Sequence, residues 1–412
     1  MGKYSVTKSF HMTLWGTAIV FVVVLFASMD RDSSITFGSE ASAAQTKGKA
    51  TPPAPEARSF PIGGDTGYQA GVFPHATQVV DVNGDGNPDL LVPAAAQRKV
   101  SVMLSDGKGG MQSIRSFEVG KGPTWVSAGD FNGDKKVDLV TSNSGAGSLT
   151  LYLGDGKGGF ANRQDIEGLR GPTSVVVADF NGDGLDDLAA TEAIISGLTV
   201  FLNRRGGKFE KAHHTEIARG PHIMDHTDLN GDGQPDLVVG CLGEQALELL
   251  LGQKNGSFAK PHRINIGKYP HYRVYEDFNS DGHRDVALVV AGDDTVQIYI
   301  GDGKGGLTLN GDLPVGTNPH GMTGADFNND GHMDLVVANR TSWDLFRFRG
   351  DGKGGFWPDP PLKTGQDIIA LKHGDFNRDG NQDLAMVSAS SNRIVIALGD
   401  GKGGFEIPGQ AH

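Results

Sequence analysis

The sequence predicts an all-β protein, a seven-bladed β-propeller of four-stranded blades with an N-terminal export or anchor segment. Two observations predict this fold. A nine-residue acidic pattern, D-x-N-x-D-x-x-x-D, occurs seven times at a constant spacing of 49 residues, and a fixed period of this length is typical of circular or stacked repeats. The rest of each repeat consists of short apolar and alternating stretches, which are typical of strands.

The acidic pattern supplies oxygen ligands in every repeat. Positions 1, 5 and 9 are aspartates and position 3 is asparagine, and Ca²⁺ binds six to eight such oxygens, often with a backbone carbonyl near position 7. Position 7 varies freely among the repeats, as expected of a backbone ligand. We therefore predict bound Ca²⁺ with these side-chain ligands: Asp81, Asn83, Asp85, Asp89, Asp130, Asn132, Asp134, Asp138, Asp179, Asn181, Asp183, Asp187, Asp228, Asn230, Asp232, Asp236, Asp277, Asn279, Asp281, Asp285, Asp326, Asn328, Asp330, Asp334, Asp375, Asn377, Asp379 and Asp383.

The second loop is predicted to be the weakest calcium site. Position 6 is glycine in six loops, which suits a sharp turn with positive φ. The second loop has Lys135 there, and a non-glycine residue in that conformation costs roughly 1–2 kcal/mol. The ammonium groups of Lys135 and Lys136 also compete with the cation.

The charge balance is consistent with cation binding. Three aspartates in each of seven loops account for 21 of the 49 acidic residues, and the formal net charge is −12. Seven calcium ions would bring +14 and change the net charge to +2. We find no basic stripe of the kind that binds nucleic acid, so no nucleic-acid partner is expected.

The elements of one repeat follow in order after its acidic loop. In the second repeat, the apolar run 139–140 predicts a strand, and the alternating stretch 149–153 predicts the next one. A glycine turn at 155–159 leads into a further short strand, and a proline-preceded apolar run then leads into the next loop. Four strands per repeat fit a propeller blade. A linear β-solenoid is the alternative, although it would need capping segments, and we recognise none.

The two ends of the chain predict how the ring closes. The last repeat ends too early to complete its fourth strand, while residues 58–63 resemble the end of a fourth strand such as 115–120. We therefore predict that residues 58–63 complete the blade that begins near residue 366.

The sequence of the acidic loops resembles that of a known repeat family. The run Asp-Phe-Asn-Gly-Asp-Gly-x-x-Asp-Leu, seen at 179–188, resembles the FG-GAP/VCBS repeat, the blade of the integrin α-chain N-terminal propeller and of many bacterial exported proteins. The resemblance covers roughly residues 58–408. It implies that each loop joins the first and second strands of a blade and binds Ca²⁺ on one rim. It does not decide the function, because these propellers serve many functions.

The N-terminal region predicts an extracytoplasmic protein. Residues 1–29 contain Lys3, Lys8 and then an apolar run over 14–27, a pattern typical of an export signal. The run is close to the shortest membrane span, and a small-residue site lies at 41–43. A cleaved signal peptide and an uncleaved membrane anchor therefore both remain open.

Two further segments complete the domain organisation. Residues 30–57 are rich in Ala, Ser, Thr, Lys and Pro, which predicts a flexible linker. Residues 58–412 form the propeller. The single cysteine, Cys241, cannot form an internal disulfide, so calcium is expected to supply the stabilising role that disulfides have in other exported folds.

Histidines mark a candidate ligand-binding rim. A proline lies seven residues before each of the first six loops, and histidine follows it in four repeats. The resemblance places this position at the start of the innermost strand, on the rim opposite the calcium loops. The set could bind a transition metal or a ligand, or it could simply suit the start of a strand. Its members, with an adjacent tyrosine, are His75, His222, His271, His320 and Tyr272.

The third strand of the sixth repeat departs from the pattern. Arg347 and Arg349 occupy positions that are apolar in the other repeats. Either the strand has slipped or bulged, which would exchange its two faces, or the two arginines reach a surface that meets an acidic partner.

The sequence favours a non-catalytic binding, adhesion or scaffold module, because no nucleophile, base and orienting residue can be recognised together. One alternative is a polysaccharide-active enzyme, a lyase or hydrolase, with its site on the rim opposite the calcium loops. A second alternative is a lectin. The expected partner is a protein or glycan, and the propeller is expected to be monomeric.

Overall fold

A computed structural model describes residues 58–60, 62 and 67–408. They form seven sheets of mainly antiparallel strands and contain no helix, which confirms the predicted seven-bladed propeller. The predicted signal or anchor segment, 1–29, and the linker, 30–57, lie outside the described residues. Within the described part of the chain, no helix is long and apolar enough to cross a membrane.

The strands follow one another in chain order from the first to the fourth position of each blade. Blade 1 contains β3 (Gln78–Val80), β4 (Asp89–Ala94), β5 (Lys99–Ser105) and β6 (Met111–Glu118); blade 2 contains β7 (Pro123–Gly129), β8 (Asp138–Asn143), β9 (Ser148–Gly154) and β10 (Phe160–Glu167); blade 3 contains β11 (Pro172–Ala178), β12 (Asp187–Glu192), β13 (Gly197–Asn203) and β14 (Phe209–Glu216); blade 4 contains β15 (Pro221–Thr227), β16 (Asp236–Cys241), β17 (Ala246–Leu250) and β18 (His262–Asn265).

The remaining blades repeat this pattern, with short strands from the two ends of the chain added. Blade 5 contains β19 (Pro270–Glu276), β20 (Asp285–Val290), β21 (Thr295–Gly301) and β22 (Leu307–Pro314); blade 6 contains β23 (Pro319–Ala325), β24 (Asp334–Asn339), β25 (Asp344–Gly350) and β26 (Phe356–Lys363); blade 7 contains β27 (Ile368–Gly374), β28 (Asp383–Ser388) and β29 (Arg393–Gly399); the end strands are β1 (Arg58–Ser59), β2 (Tyr68–Gln69) and β30 (Phe405–Glu406).

The first strands line the centre of the ring. Each of them contacts the first strands of the neighbouring blades, and β27 contacts β3, so the ring is closed. The second strands are buried along their whole length. Apolar residues of adjacent blades form shared clusters, as where Val140 and Leu149 of blade 2 pack with Leu188 and Phe201 of blade 3. Each such buried side chain contributes roughly 1.5–3 kcal/mol of hydrophobic free energy.

The prediction for residues 58–63 is wrong. β1 pairs in parallel with β26 and is a fifth strand of blade 6. Ring closure instead uses both ends of the chain on β29 of blade 7, where Tyr68 faces Ile394 and Phe405 faces Gly399. The sequence pattern missed this because two-residue strands are too short to show an alternation.

The third strand of the sixth blade has not slipped, but it does have a local bulge, the other irregularity that we predicted. β25 pairs with β24 in the same register as the equivalent strands of blade 3. The bulge lies in the pairing of β25 with β26, between Leu345 and Arg347, whereas the shift in blade 3 lies between Val200 and Phe201. Arg347 is buried and donates hydrogen bonds to the carbonyls of Gly403 and Pro360, while Arg349 pairs with Asp359 at 3.1 Å. Both arginines therefore have partners within the chain.

Candidate functional site

The acidic loops join the first and second strands of each blade. In blade 3, Asp179 Oδ1 accepts hydrogen bonds from the backbone N–H groups of Gly182 (2.7 Å) and Asp183 (3.1 Å), and its Oδ2 accepts one from Gly184 (2.7 Å). Asn181 Nδ2 donates to Asp183 Oδ2 at 3.1 Å. Gly184 has φ 80°, which agrees with the positive φ predicted for position 6. Positions 1, 3 and 5 thus hold the loop in a tight turn.

The aspartate at position 9 is buried and acts as a structural brace. Asp187 Oδ2 accepts from the N–H of Phe180 at 3.1 Å, and its Oδ1 accepts from the N–H of Asn203, at the end of the third strand, at 2.7 Å. The same pair of contacts occurs in every blade, at Asp89, Asp138, Asp187, Asp236, Asp285, Asp334 and Asp383. Position 9 therefore connects the start of the acidic loop, the second strand and the end of the third strand, a role that the sequence did not reveal.

Negative charge is concentrated at each loop. The pKa of Asp187 is raised to about 6, chiefly by burial and to a smaller extent by the nearby charges of Asp183 and Asp179, although the hydrogen bonds from two backbone N–H groups oppose this rise. Burial likewise raises the pKa of each equivalent aspartate, which is about 6 at Asp89, Asp138, Asp334 and Asp383. Such a set of carboxylates is one that a bound cation would stabilise.

The loop residues fit calcium by their chemistry. Their donors are carboxylate and amide oxygens, the ligands that Ca²⁺ prefers, and a carboxylate oxygen that accepts one hydrogen bond retains further acceptor capacity. Among the described residues, however, no group of three or more His, Cys, Asp or Glu side chains is arranged to hold a metal ion. The side chains at positions 1, 5 and 9 are directed to backbone N–H groups instead. The predicted ligand set therefore stays a prediction.

The second loop differs from the others as expected from its lysines. Lys135 adopts φ 63° where the other loops have glycine. Lys136 Nζ lies 3.2 Å from Asp134 Oδ2, so an ammonium group already occupies the neighbourhood of the position-5 carboxylate. These contacts agree with the prediction that this loop is the weakest cation site.

The four histidines lie at the opposite end of the central channel, which we call the histidine end. His222, His271 and His320 each directly follow the proline that begins a first strand. The rings of His271 and His320 are 4.2 Å apart, and both residues are buried. Burial lowers the pKa of His222 and His320 to about 3. These imidazoles are therefore neutral and closely packed.

Aromatic rings cross the channel next to the histidine end. Trp125 of blade 2 and Tyr272 of blade 5 stack with their ring centroids 6.4 Å apart, although these blades lie on different sides of the ring. His320 packs near Tyr272 at 6.1 Å. Tyr272, predicted as part of a ligand rim, is thus a buried part of the channel filling.

A cavity of about 600 Å³ occupies the other half of the channel. It is lined by the halves of the first strands that lead into the acidic loops, and we call it the central cavity. Its charged and polar lining residues include Asp225, Arg273, Tyr275, Thr323, Lys372 and His373. The repeat motifs alone do not reveal this site. Its signal was a break in the repeat pattern, because the fifth position of the first strand is charged only in blades 4 and 7, as Asp225 and Lys372.

A buried ion pair forms one wall of the central cavity. Arg273, whose side chain is fully buried, donates to Asp225 Oδ2 from Nη2 at 2.7 Å and from Nε at 3.0 Å. Tyr275 donates its hydroxyl proton to the same oxygen at 3.2 Å. Burial raises the pKa of Tyr275 well above its usual value, so the phenol stays protonated.

The facing wall carries Lys372 and His373. Lys372 Nζ lies 5.9 Å from the centroid of the Tyr272 ring, and burial lowers the pKa of this lysine. His373 Nδ1 is hydrogen-bonded to the Thr323 hydroxyl at 2.7 Å. Burial, and then the charge of Lys372, lower the pKa of His373 to about 4. The central cavity thus places the ammonium group of Lys372 and the neutral imidazole of His373 opposite the carboxylate of Asp225.

A family comparison agrees with the repeat pattern. The model of the FG-GAP-like repeat matches residues 81–141, 130–190, 277–337 and 326–386. No curated protein sequence matches the chain.

Solved structures of several other proteins are similar in fold. A putative 6-phosphogluconolactonase from Bacteroides fragilis has 15% identity and a TM-score of 0.59, and the match covers 81% of this chain and 93% of that one. The periplasmic gluconolactonase of Pseudomonas aeruginosa has 17% identity and a TM-score of 0.52, with 68% and 84% covered. Catalytically inactive virginiamycin B lyase from Staphylococcus aureus has 13% identity and a TM-score of 0.52, with 82% and 97% covered. At these identities the similarity concerns the fold alone.

Proposed function

This chain belongs to the FG-GAP-like repeat family, and from that premise we propose that it is a calcium-binding β-propeller serving as a non-catalytic binding or scaffold module outside the cytoplasm. One observation carries the proposal. The same set of oxygen donors recurs seven times, between the first and second strands of every blade, so that all seven loops lie at one end of the channel.

Calcium would act on the stability of this end of the molecule. A bound Ca²⁺ neutralises carboxylates that otherwise repel one another, as at Asp179, Asp183 and Asp187. Ligands that bind only the folded state stabilise it by mass action, by about 1.4 kcal/mol per site at tenfold saturation. Extracellular modules bind calcium with Kd near 10⁻⁴–10⁻³ M, which agrees with a protein exported to a calcium-rich compartment.

The titrating groups of the channel favour binding over catalysis. A general base works best when its pKa lies near the working pH, whereas the pKa of His373 is lowered to about 4 and that of His320 to about 3. His271 and His320 are also buried at the histidine end, where a lyase or hydrolase site was predicted as an alternative. That enzyme and the lectin both stay predictions without a specific supporting contact.

Export is proposed from the sequence alone. The basic and apolar pattern of residues 1–29 indicates an export signal or a membrane anchor. Either form places the propeller outside the cytoplasm.

Thermal unfolding of the full chain with calcium and with excess EGTA tests the proposal. We expect a calcium-dependent rise in Tm, with six or seven ions bound per chain and the second loop filled last. Magnesium at the same concentration is the control, because it demands rigid octahedral geometry and should stabilise less. A Tm that does not respond to calcium, with no bound ion, would overturn the proposal.

A further inference from the structure

One ammonium group of the central cavity, that of Lys372, forms no ion pair among the described residues. Asp225 is paired with Arg273 at 2.7 Å, and Glu276 is paired with Arg284 at 3.0 Å. Within the described ranges, no carboxylate oxygen lies within 4.0 Å of Lys372 Nζ. Asp225 acts on Lys372 only at longer range, where it raises the pKa of the lysine against the larger effect of burial, so the ammonium group lacks a contacting counter-ion among the described residues.

An enclosed ammonium group without a contacting counter-ion is unfavourable in the empty protein. Transfer of a charge out of water costs several kcal/mol, and the lowered pKa of Lys372 reflects that cost. The Tyr272 ring at 5.9 Å recovers part of it through a cation–π interaction. An anion that reaches Lys372 would remove the remaining cost, so the cavity is suited to a negatively charged ligand.

The opposite wall, which carries Asp225, limits the negative charge of that ligand and favours a ligand with hydrogen-bond donors. All three contacts to Asp225 use Oδ2, and Oδ1 has no hydrogen-bond partner among the described residues. This carboxylate repels a second negative charge but accepts a hydrogen bond from a hydroxyl group. A monoanion with hydroxyl groups therefore satisfies both walls, whereas a phosphate dianion does not.

The remaining residues that line the cavity favour a small organic molecule as the ligand. Trp125, Val274 and Met322 supply aromatic and apolar surface, and His373 adds a polar ring. The volume of about 600 Å³ lies within the range of small-molecule sites. We infer that the central cavity binds a small hydroxylated monocarboxylate, the class to which sugar acids belong, with its carboxylate on Lys372 and a hydroxyl group on Asp225. This inference rests on the proposed function in that it takes the propeller to be a binding module.

Isothermal titration of the full, calcium-loaded chain in a mild detergent tests the inference. The probes are methyl glucuronide, methyl galacturonide and gluconate. Their matched controls are the neutral methyl glucoside and methyl galactoside, together with glucose 6-phosphate as a dianion. We expect at least one carboxylate to bind at least about tenfold more tightly than its neutral counterpart and than the phosphate.

Substitutions of Lys372 locate the binding. Lys372→Met keeps an unbranched side chain that is one atom shorter and removes the charge, so binding of the carboxylate should fall by at least about tenfold. Lys372→Arg should retain part of the affinity. Lys353→Met, at an exposed lysine in a glycine turn, should leave binding unchanged.

A second readout separates ligand binding from a structural role of Lys372. Because the substitution removes a charge that lacks a contacting counter-ion, Lys372→Met should leave the Tm of the ligand-free protein unchanged or raise it. A lower Tm would indicate a structural role and would overturn the inference. Failure of all three carboxylates to bind, or binding that Lys372→Met does not weaken, would also overturn it.

The result of the carboxylate-binding experiment does not depend on whether the protein binds calcium. Loss of carboxylate binding in Lys372→Met should leave the calcium-dependent rise in Tm intact. Conversely, a chain without a calcium response could still bind the carboxylates through Lys372, and the two failures can therefore be told apart.

Discussion

Aspartates only four positions apart have different environments in every loop. Asp183 is exposed and its carboxylate contacts the loop itself, whereas Asp187 is fully buried and each of its oxygens accepts a backbone N–H group. The repeat pattern shows both as invariant acids and cannot distinguish them. Burial distinguishes them, because only the buried residue would leave unsatisfied backbone groups when it is changed.

Substitution of these two residues separates bracing from calcium binding. In EGTA, Asp187→Asn should lower the free energy of unfolding by about 1–3 kcal/mol, because the amide nitrogen cannot accept one of the two N–H groups. Asp183→Asn should change it by less than about 0.5 kcal/mol in EGTA, but should reduce the stabilisation that calcium provides. Urea unfolding with and without calcium measures both effects. Equal losses in EGTA would contradict the assignment of Asp187 as the brace.

At the scale of elements, the first strands have two different ends. Their beginnings bring buried imidazoles together, and their ends line the central cavity before leading into the acidic loops. The prediction of the histidine rim placed the residues on the correct end of the strand but could not foresee their burial. Burial depends on which blades face each other across the channel, and the sequence of a single repeat does not contain that information.

The histidine end should make stability depend on pH. The pKa of His320 is lowered to about 3 in the folded protein, chiefly by burial, against 6.5 as its ordinary value. Below pH 6.5 the unfolded state therefore binds a proton that the folded state does not, and stability falls as the pH decreases towards 3. The loss should reach about 1–2 kcal/mol for this residue near pH 5.

The comparison of two variants separates the pH dependence due to His320 from that of the buried aspartates. The raised pKa values of those aspartates make stability rise, not fall, as the pH decreases. His320→Asn keeps a donor for the Ile369 carbonyl, which His320 Nδ1 contacts at 2.7 Å. The stability difference between the wild type and this variant should shift in favour of the variant by about 1–2 kcal/mol between pH 7 and pH 5. Met322→Leu, which removes no titrating group, should follow the wild type in parallel. Urea unfolding at each pH gives the values, and a constant difference for His320→Asn would refute the prediction.

The strands within each repeat could be predicted because the information is local. Alternation at 149–153 corresponds to β9 (Ser148–Gly154), and position 9 of each acidic pattern begins a second strand. The central cavity could not be predicted in this way. Asp225 pairs with Arg273 of the next blade, and Lys372 approaches Tyr272 from two blades away. These contacts require the closed ring, so only the break in the repeat pattern could point to them.

At the scale of the whole molecule, closure depends on the contact of residues 67–70 with blade 7. Tyr68 and Gln69 pair with Ile394 and Arg393, Arg393 Nη1 donates to the Gly67 carbonyl at 2.7 Å, and the Ala70 N–H donates to the Asn392 carbonyl at 3.0 Å. Gly67 has φ 90°, and a Cβ atom there would clash with the Ile394 carbonyl and lie 2.9 Å from Val395 Cγ2. An alanine at this position therefore cannot be accommodated without moving the closing strand.

Two glycine substitutions test this closure. Gly365 also has a positive φ, 71°, but a Cβ atom there meets open space, so Gly365→Ala should cost only the backbone strain of about 1–2 kcal/mol. Gly67→Ala should cost at least about 1 kcal/mol more, because it also displaces hydrogen bonds of the closing strand. Hydrogen exchange should show lower protection at Ile394 in Gly67→Ala alone. Equal stability losses and equal exchange in the two variants would mean that β27, β28, β29 and β30 hold blade 7 in the ring without residues 67–70. A larger loss of stability in Gly67→Ala than in Gly365→Ala would instead show that the ring needs the N-terminal strand to close, even though its seven blades are well paired internally.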